Sequence, residues 1–155
     1  PGASAVSAAA HLVQHFYDKF PGRVPLSVAF GMGLREILPF VFADDTGRNL
    51  GIMALESVAD ENMAVVQLFH VSAFRPRRGA GTLMLHALCA EADRRQVIVT
   101  LSAVSMDNGR DPQISNADLA AWYRRFGFEG EGRMTREPRE RGDQSGGATP
   151  VTQRE

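Results

Sequence analysis

Apolar and polar positions follow two periods along this chain, and the changes of period divide it into elements. From His11 to Phe20 the apolar residues Leu12, Val13, Phe16 and Phe20 recur on one helical face, and Pro21-Gly22 ends the run. Three short apolar runs follow, Ile37 to Ala43, Leu50 to Ser57 and Ala64 to Val71, separated by Asp44-Asp45-Thr46-Gly47 and Asp60-Glu61-Asn62. They predict three strands joined by two hairpins, and therefore antiparallel neighbours. After Gly79-Ala80-Gly81 the period lengthens again: Leu85, Leu88, Cys89 and Ala92 form a stripe opposite His86, Glu91 and Arg94, which predicts a helix of about four turns. Val97 to Ser105 reads as a strand covered on both faces. A polar loop, Met106 to Ser115, leads to a second helix, Ala117 to Phe126, with Leu119, Trp122, Tyr123 and Phe126 on one face and Gly127 at its C-terminal stop. Phe128 to Arg136 predicts a closing strand. Glu137 to Glu155, rich in charge, Gly, Ser and Thr, is expected to be disordered. The order predicts an α/β (α+β) fold, a mixed, mostly antiparallel sheet flanked by helices, in one domain spanning residues 1–136 with a tail at 137–155.

Composition narrows the function classes. With 155 residues and 44% hydrophobic content, the chain can bury one continuous core. Seventeen basic residues against 18 acidic ones leave no global field towards nucleic acid or an anionic membrane. The longest apolar runs fall well short of the roughly 20 residues that span a bilayer, and Pro1 to Ala10 lacks the basic segment and apolar core of a secretory signal. A single cysteine, Cys89, cannot form an internal disulfide, which fits a reducing, cytoplasmic setting.

The glycine turn Arg75-Pro76-Arg77-Arg78-Gly79-Ala80-Gly81-Thr82 joins a predicted strand to a predicted helix. A helix N-terminus presents four backbone N–H groups without internal partners and a partial positive charge, so it can hold a pyrophosphate. Gly79 and Gly81 let the backbone approach the phosphates, and Arg77 and Arg78 add cationic charge. The turn has no Gly-Lys-Ser/Thr ending. Met84 stands where a dinucleotide fingerprint needs a third glycine, and Ala103, Val104 and Ser105 occupy the place of its acidic residue. Read alone, Gly79 and Gly81 fit an ordinary tight turn equally well. Gly31-Met32-Gly33 reads as a bend before a strand.

The run from Asn116 to Phe128 resembles the motif of the GNAT superfamily of N-acyltransferases, in which an Asn stands seven residues before a Tyr that itself stands four before Gly-Phe. The turn at 75–82 is similar to that family's Gln/Arg-x-x-Gly-x-Gly/Ala loop. The resemblance covers roughly Ile37 to Phe128 and implies a β-β-β-α-β-α-β core and direct transfer of an acetyl group from acetyl-CoA to a primary amine. It implies that residues Arg77, Arg78, Gly79, Ala80, Gly81 and Thr82 present the CoA pyrophosphate with amides and charge. By the same resemblance the backbone at Val71 bonds pantetheine or polarises the thioester carbonyl, Asn116 holds the pantetheine arm, and Tyr123 protonates the departing thiolate. Pro76 departs from the pattern, because it stands at the Gln/Arg position without an N–H to donate. The same fold could also serve as a non-catalytic acyl-CoA-binding or interaction module. Homodimers are common among look-alike proteins.

Direct attack by an amine needs a donor at the carbonyl oxygen, a donor at sulfur and a proton acceptor. No covalent intermediate is required, so Cys89 reads as core. Glu56 is the first candidate for the base, as it ends a strand carrying Leu50, Ile52 and Ala54; His70, alternating with Val66 and Leu68, is second. His11 and His15 stand four apart on a helix, but no third ligand accompanies them as a zinc site would require. The arginines at 124, 125, 133, 136, 139 and 141 read as solvated charge.

Overall fold

In a computed structural model the described residues are 2–25, 38–58, 60, 62–75, 79–103 and 115–139. Three helices and six strands alternate along them: α1 (Gly2–Lys19), β1 (Phe40–Ala43), β2 (Asn49–Val58), β3 (Val65–Ala73), α2 (Ala80–Arg95), β4 (Ile98–Ser102), α3 (Asn116–Arg124), β5 (Glu129–Glu131) and β6 (Arg133–Arg136). The strands form one sheet in the order β1-β2-β3-β4-β6-β5. Only the β3–β4 pair is parallel; the others are antiparallel. The mixed, mostly antiparallel sheet and the β-β-β-α-β-α-β order are as expected. None of the described helices is long and apolar enough to cross a membrane.

Several boundaries differ from the sequence reading, each for a local reason. The first helix begins at Gly2 rather than His11, since the run of small residues before His11 has good helix propensity but no apolar stripe to reveal it. The strand expected from Ile37 starts at Phe40, directly after Pro39, which has no N–H for a ladder; Ile37 lies outside the described residues. The closing strand is two strands, because the chain reverses at Gly132 (φ 69°) and folds Glu131 back against Arg133. Gly127, with φ 97°, ends the turn after α3 as expected. The Gly31-Met32-Gly33 bend, the loop at 106–114 and residues 140–155 lie outside the described residues.

One face of the sheet carries the aromatic core. Phe40 stacks on Phe16 of α1 and on Phe20 just beyond its end at ring separations of 6.0 and 5.7 Å, and Phe42 meets Phe20 at 4.5 Å. Register places Met53 beside Phe40 and Val71 beside Met53 on that same face, where Met84 of α2 also packs on Gly51. Tyr17 of α1 ties the layers together: its hydroxyl donates to the Leu38 carbonyl (2.9 Å) and accepts from the Leu55 N–H (3.3 Å), so it bridges β2 to the chain just before β1. The outer edge of β1 is covered by residues 22–24, through Val41 N–H to Gly22 O and Val24 N–H to Pro39 O.

A buried ion pair closes the other end. Arg136, read from the sequence as solvated, is 3% exposed. Its guanidinium forks onto Asp93 of α2 at 2.8 and 3.0 Å and donates through Nε to the Phe126 carbonyl at 2.7 Å. Arg139, inside the segment expected to be disordered, is held by its N–H to Asp93 (2.9 Å) and by Gln96 at its carbonyl (3.0 Å).

Candidate active site

Two irregularities in β3 leave part of its edge without a partner among the described strands. Leu55 pairs with Leu68 but Ala54 with His70, so Phe69 is an extra residue, a β-bulge. Parallel pairing with β4 runs from Val65 to Leu68 and stops there, while β3 continues to Ala73. Phe69 to Ala73 therefore has β2 on one side and no described strand on the other. The Phe74 N–H donates to Leu50 of β2 (2.9 Å). By alternation the backbone groups of Ser72 also face β2, whereas those of Val71 and Ala73 point into the gap that β4 leaves.

The N-terminus of α2 follows three residues that lie outside the described set, Pro76, Arg77 and Arg78, so the phosphate contacts expected of Arg77 and Arg78 are not placed. Gly79 caps the helix in the left-handed region (φ 78°, ψ 0°) with no side-chain cap. Leu83 is the first residue to close a helical bond, to Gly79 O at 3.0 Å. The N–H groups of Ala80, Gly81 and Thr82 thus lack intrahelical partners, as in any uncapped first turn. With the helix dipole they form a positive end suited to an anion.

Helix α3 is held against this turn. Ser115 caps it, its hydroxyl accepting from the Asp118 N–H at 3.0 Å, and Asn116 opens the first turn on an exposed position. Trp122 lies on Gly81: a Cβ built on that glycine would sit 3.5 Å from the indole. Trp122 also contacts Tyr123 (5.0 Å) and Phe126 (5.3 Å), and Phe126 meets His86 of α2 at 5.1 Å. Tyr123 packs edge-on against Phe128 at 5.6 Å and is buried, which pushes its phenol up to about 12. Within the described residues no hydrogen bond lowers that value. The hydroxyl therefore stays protonated throughout the neutral range.

The structure thus brings the turn at 79–82 together with the helix carrying Asn116 and Tyr123, through a contact the sequence reading missed. Trp122 was counted only as part of an apolar stripe; the signal available was that it directly precedes Tyr123. Glu56 is placed elsewhere. It is exposed on β2, opposite Gln67 and on the far side of the bulge from Val71, where β3 and β4 are still paired. His70 lies in the opened segment, its Nε2 at 3.0 Å from the Ser72 hydroxyl, and burial lowers its pKa below the ordinary histidine value. Ser72 was not singled out by the sequence, although an i, i+2 pair on a strand shares a face. Cys89 is buried in the core and burial pushes its thiol up to about 11, which removes it as a nucleophile. His15 faces Glu91 of α2 at 3.9 Å.

The roles of the two glycines can be separated. Gly79 needs a positive φ, whereas Gly81 has helical geometry and a Cβ there would make only ordinary contact with Trp122. Gly81→Ala should therefore keep or raise stability, by up to about 1 kcal/mol from helix propensity. It should weaken binding of a pyrophosphate ligand, whose close approach the added methyl obstructs. Paired melting and titration measurements check this, and a variant that loses both together contradicts the separation.

No protein-family model matches the chain, and no curated protein matches it in sequence. Its backbone is similar to those of several solved structures. Tetrahymena GCN5 is 10% identical with a TM-score of 0.47, over 86% of each chain. AtaTR bound with acetyl-CoA is 17% identical with a TM-score of 0.45, over 72% of this chain and 78% of that one. The KacTA–DNA complex is 16% identical with a TM-score of 0.44, again over 72% and 78%.

Proposed function

We propose that this protein transfers an acetyl group from acetyl-CoA to an amine by direct attack on the thioester. The observation that carries the reading is the open edge of β3, with the backbone groups of Val71 and Ala73 pointing into a gap, on the strand that leads into an uncapped, glycine-started helix. Pantetheine is an extended chain with two amides and can occupy the place of the missing strand pairing. Its pyrophosphate falls to the N–H groups of residues 79–82, with charge from Arg77 and Arg78, and Asn116 holds the arm from the side of α3.

An amine attacking the thioester places negative charge first on the carbonyl oxygen and then on sulfur. The Val71 N–H is the donor for the first and the protonated Tyr123 phenol for the second. The amine must arrive neutral or lose a proton as it attacks.

Thermal shift with acetyl-CoA followed by a thiol-release assay over a panel of amines tests this. The expected results are stabilisation by acetyl-CoA and CoASH release that depends on an amine. Stabilisation without release on any amine would support a non-catalytic acyl-CoA-binding module, and no stabilisation by any acyl-CoA would remove both readings.

A further inference from the structure

We propose that His70 takes the proton from the attacking amine. The inference rests on the acyl-transfer reading above and supplies the residue it leaves open.

Register decides the face. Val71 is opposite Met53, which is opposite Phe40, and Phe40 stacks on α1, so these three define the helix side. His70 is opposite Ala54 and Ser72 opposite Ile52, so both side chains lie on the other side. The bulge at Phe69 produces this arrangement, because in an unbroken ladder residue 70 would share a face with Leu68. The result is a histidine next to the backbone N–H assigned to the thioester oxygen, but on the face away from the helices that carry the donor's binding groups.

The chemistry balances. The amine nitrogen forms a bond to the carbonyl carbon, the C–S bond breaks, and the electron pair goes to sulfur, which takes the Tyr123 proton. The surplus proton on nitrogen goes to His70, and solvent restores both groups. In the tautomer whose Nε2–H donates to the Ser72 hydroxyl, 3.0 Å away, Nδ1 keeps its lone pair as the accepting site, and Ser72 is then a positioning residue. The imidazole is neutral at pH 7, its pKa lowered by burial. The charged residues on the same face of the described strands are Glu56 of β2, Arg133 of β6 and Glu129 and Glu131 of β5.

The full chain is assayed with acetyl-CoA and an amine that the wild type acetylates. His70→Gln should lower kcat by about 10²–10³-fold, leave KM for acetyl-CoA and the acetyl-CoA thermal shift unchanged, and abolish the rise of rate with pH through a pKa below the usual histidine value. Imidazole added to His70→Ala should restore part of the rate. Ser72→Ala should lower kcat less and displace that pKa. If His70→Gln keeps its rate and pH profile, or if Glu56→Gln loses the pH-dependent rise instead, the inference is overturned. Should the histidine variants not fold, an unchanged pH profile in Ser72→Ala overturns it equally. Failure of the wild type to bind any acyl-CoA would instead remove the acyl-transfer reading beneath it.

Discussion

Replacing Tyr123 by Phe should lower kcat/KM for acetyl transfer by about 10²–10⁴-fold, the usual worth of a positioned general acid, while leaving the melting temperature unchanged. The two halves of this expectation have separate causes. Stability should hold because the ring keeps its packing on Phe128 and Trp122, and because loss of the hydroxyl orphans no partner among the described residues. The rate should fall because the departing thiolate loses its proton source. The sign with pH also follows. The acid acts while protonated, so its contribution is present below about 12 and is lost only as pH rises through that value. An assay between pH 6 and 10 should therefore show no descending limb from this group. Thiol release measured on the folded variant checks the effect, and full turnover by Tyr123→Phe would exclude the acid role.

The largest effect on stability is expected at Arg136. Arg136→Ala should cost about 1.5–3 kcal/mol, the usual worth of hydrogen bonds to a charged group, since the Asp93 left behind is only part-buried. Such a change takes two donors from the Asp93 carboxylate, which keeps the Arg139 N–H, and removes the guanidinium from the Phe126 carbonyl. Lys cannot reproduce three contacts made in one plane, so Arg136→Lys should recover little. Arg136→Met combined with Asp93→Leu should recover much of the loss, since it removes both charges from the interior. Burial by itself would raise the Asp93 pKa, but the hydrogen bonds from Arg136 and the Arg139 N–H outweigh it and hold the carboxyl below its ordinary value. The stabilisation from Asp93 is therefore present above the ordinary carboxylate range and is lost as pH falls through the depressed value. Urea midpoints of wild type and Arg136→Met should converge in acid. A constant gap from neutral to acid pH would mean that the pair contributes through packing alone.

Some of this was legible in the residues. Periods of 3.6 and 2 marked most elements, because amphipathic faces are a local property of the chain. The turn chemistry at 44–47 and at Gly127 was legible for the same reason, as was the glycine turn before α2, since each depends on the φ a single residue tolerates. The face of the His70 side chain was not, because alternation counted from Leu68 is broken by the extra residue Phe69, and a bulge leaves no mark in composition. Arg136 was misread because its partner is 43 residues away and a surface arginine looks the same in sequence.

The sequence by itself therefore determined the order of the elements and, through a resemblance, pointed to residues expected at an acyl-CoA donor site: a glycine-started helix, an asparagine and a tyrosine at fixed spacing. Tertiary structure alone decided where β3 parts from β4, that Trp122 fastens α3 to Gly81, that Arg136 is buried, and that His70 rather than Glu56 borders the opening. Local features follow from propensity and period within a few residues. The second group depends on register and on which distant surfaces meet, and those are fixed only when the whole core packs.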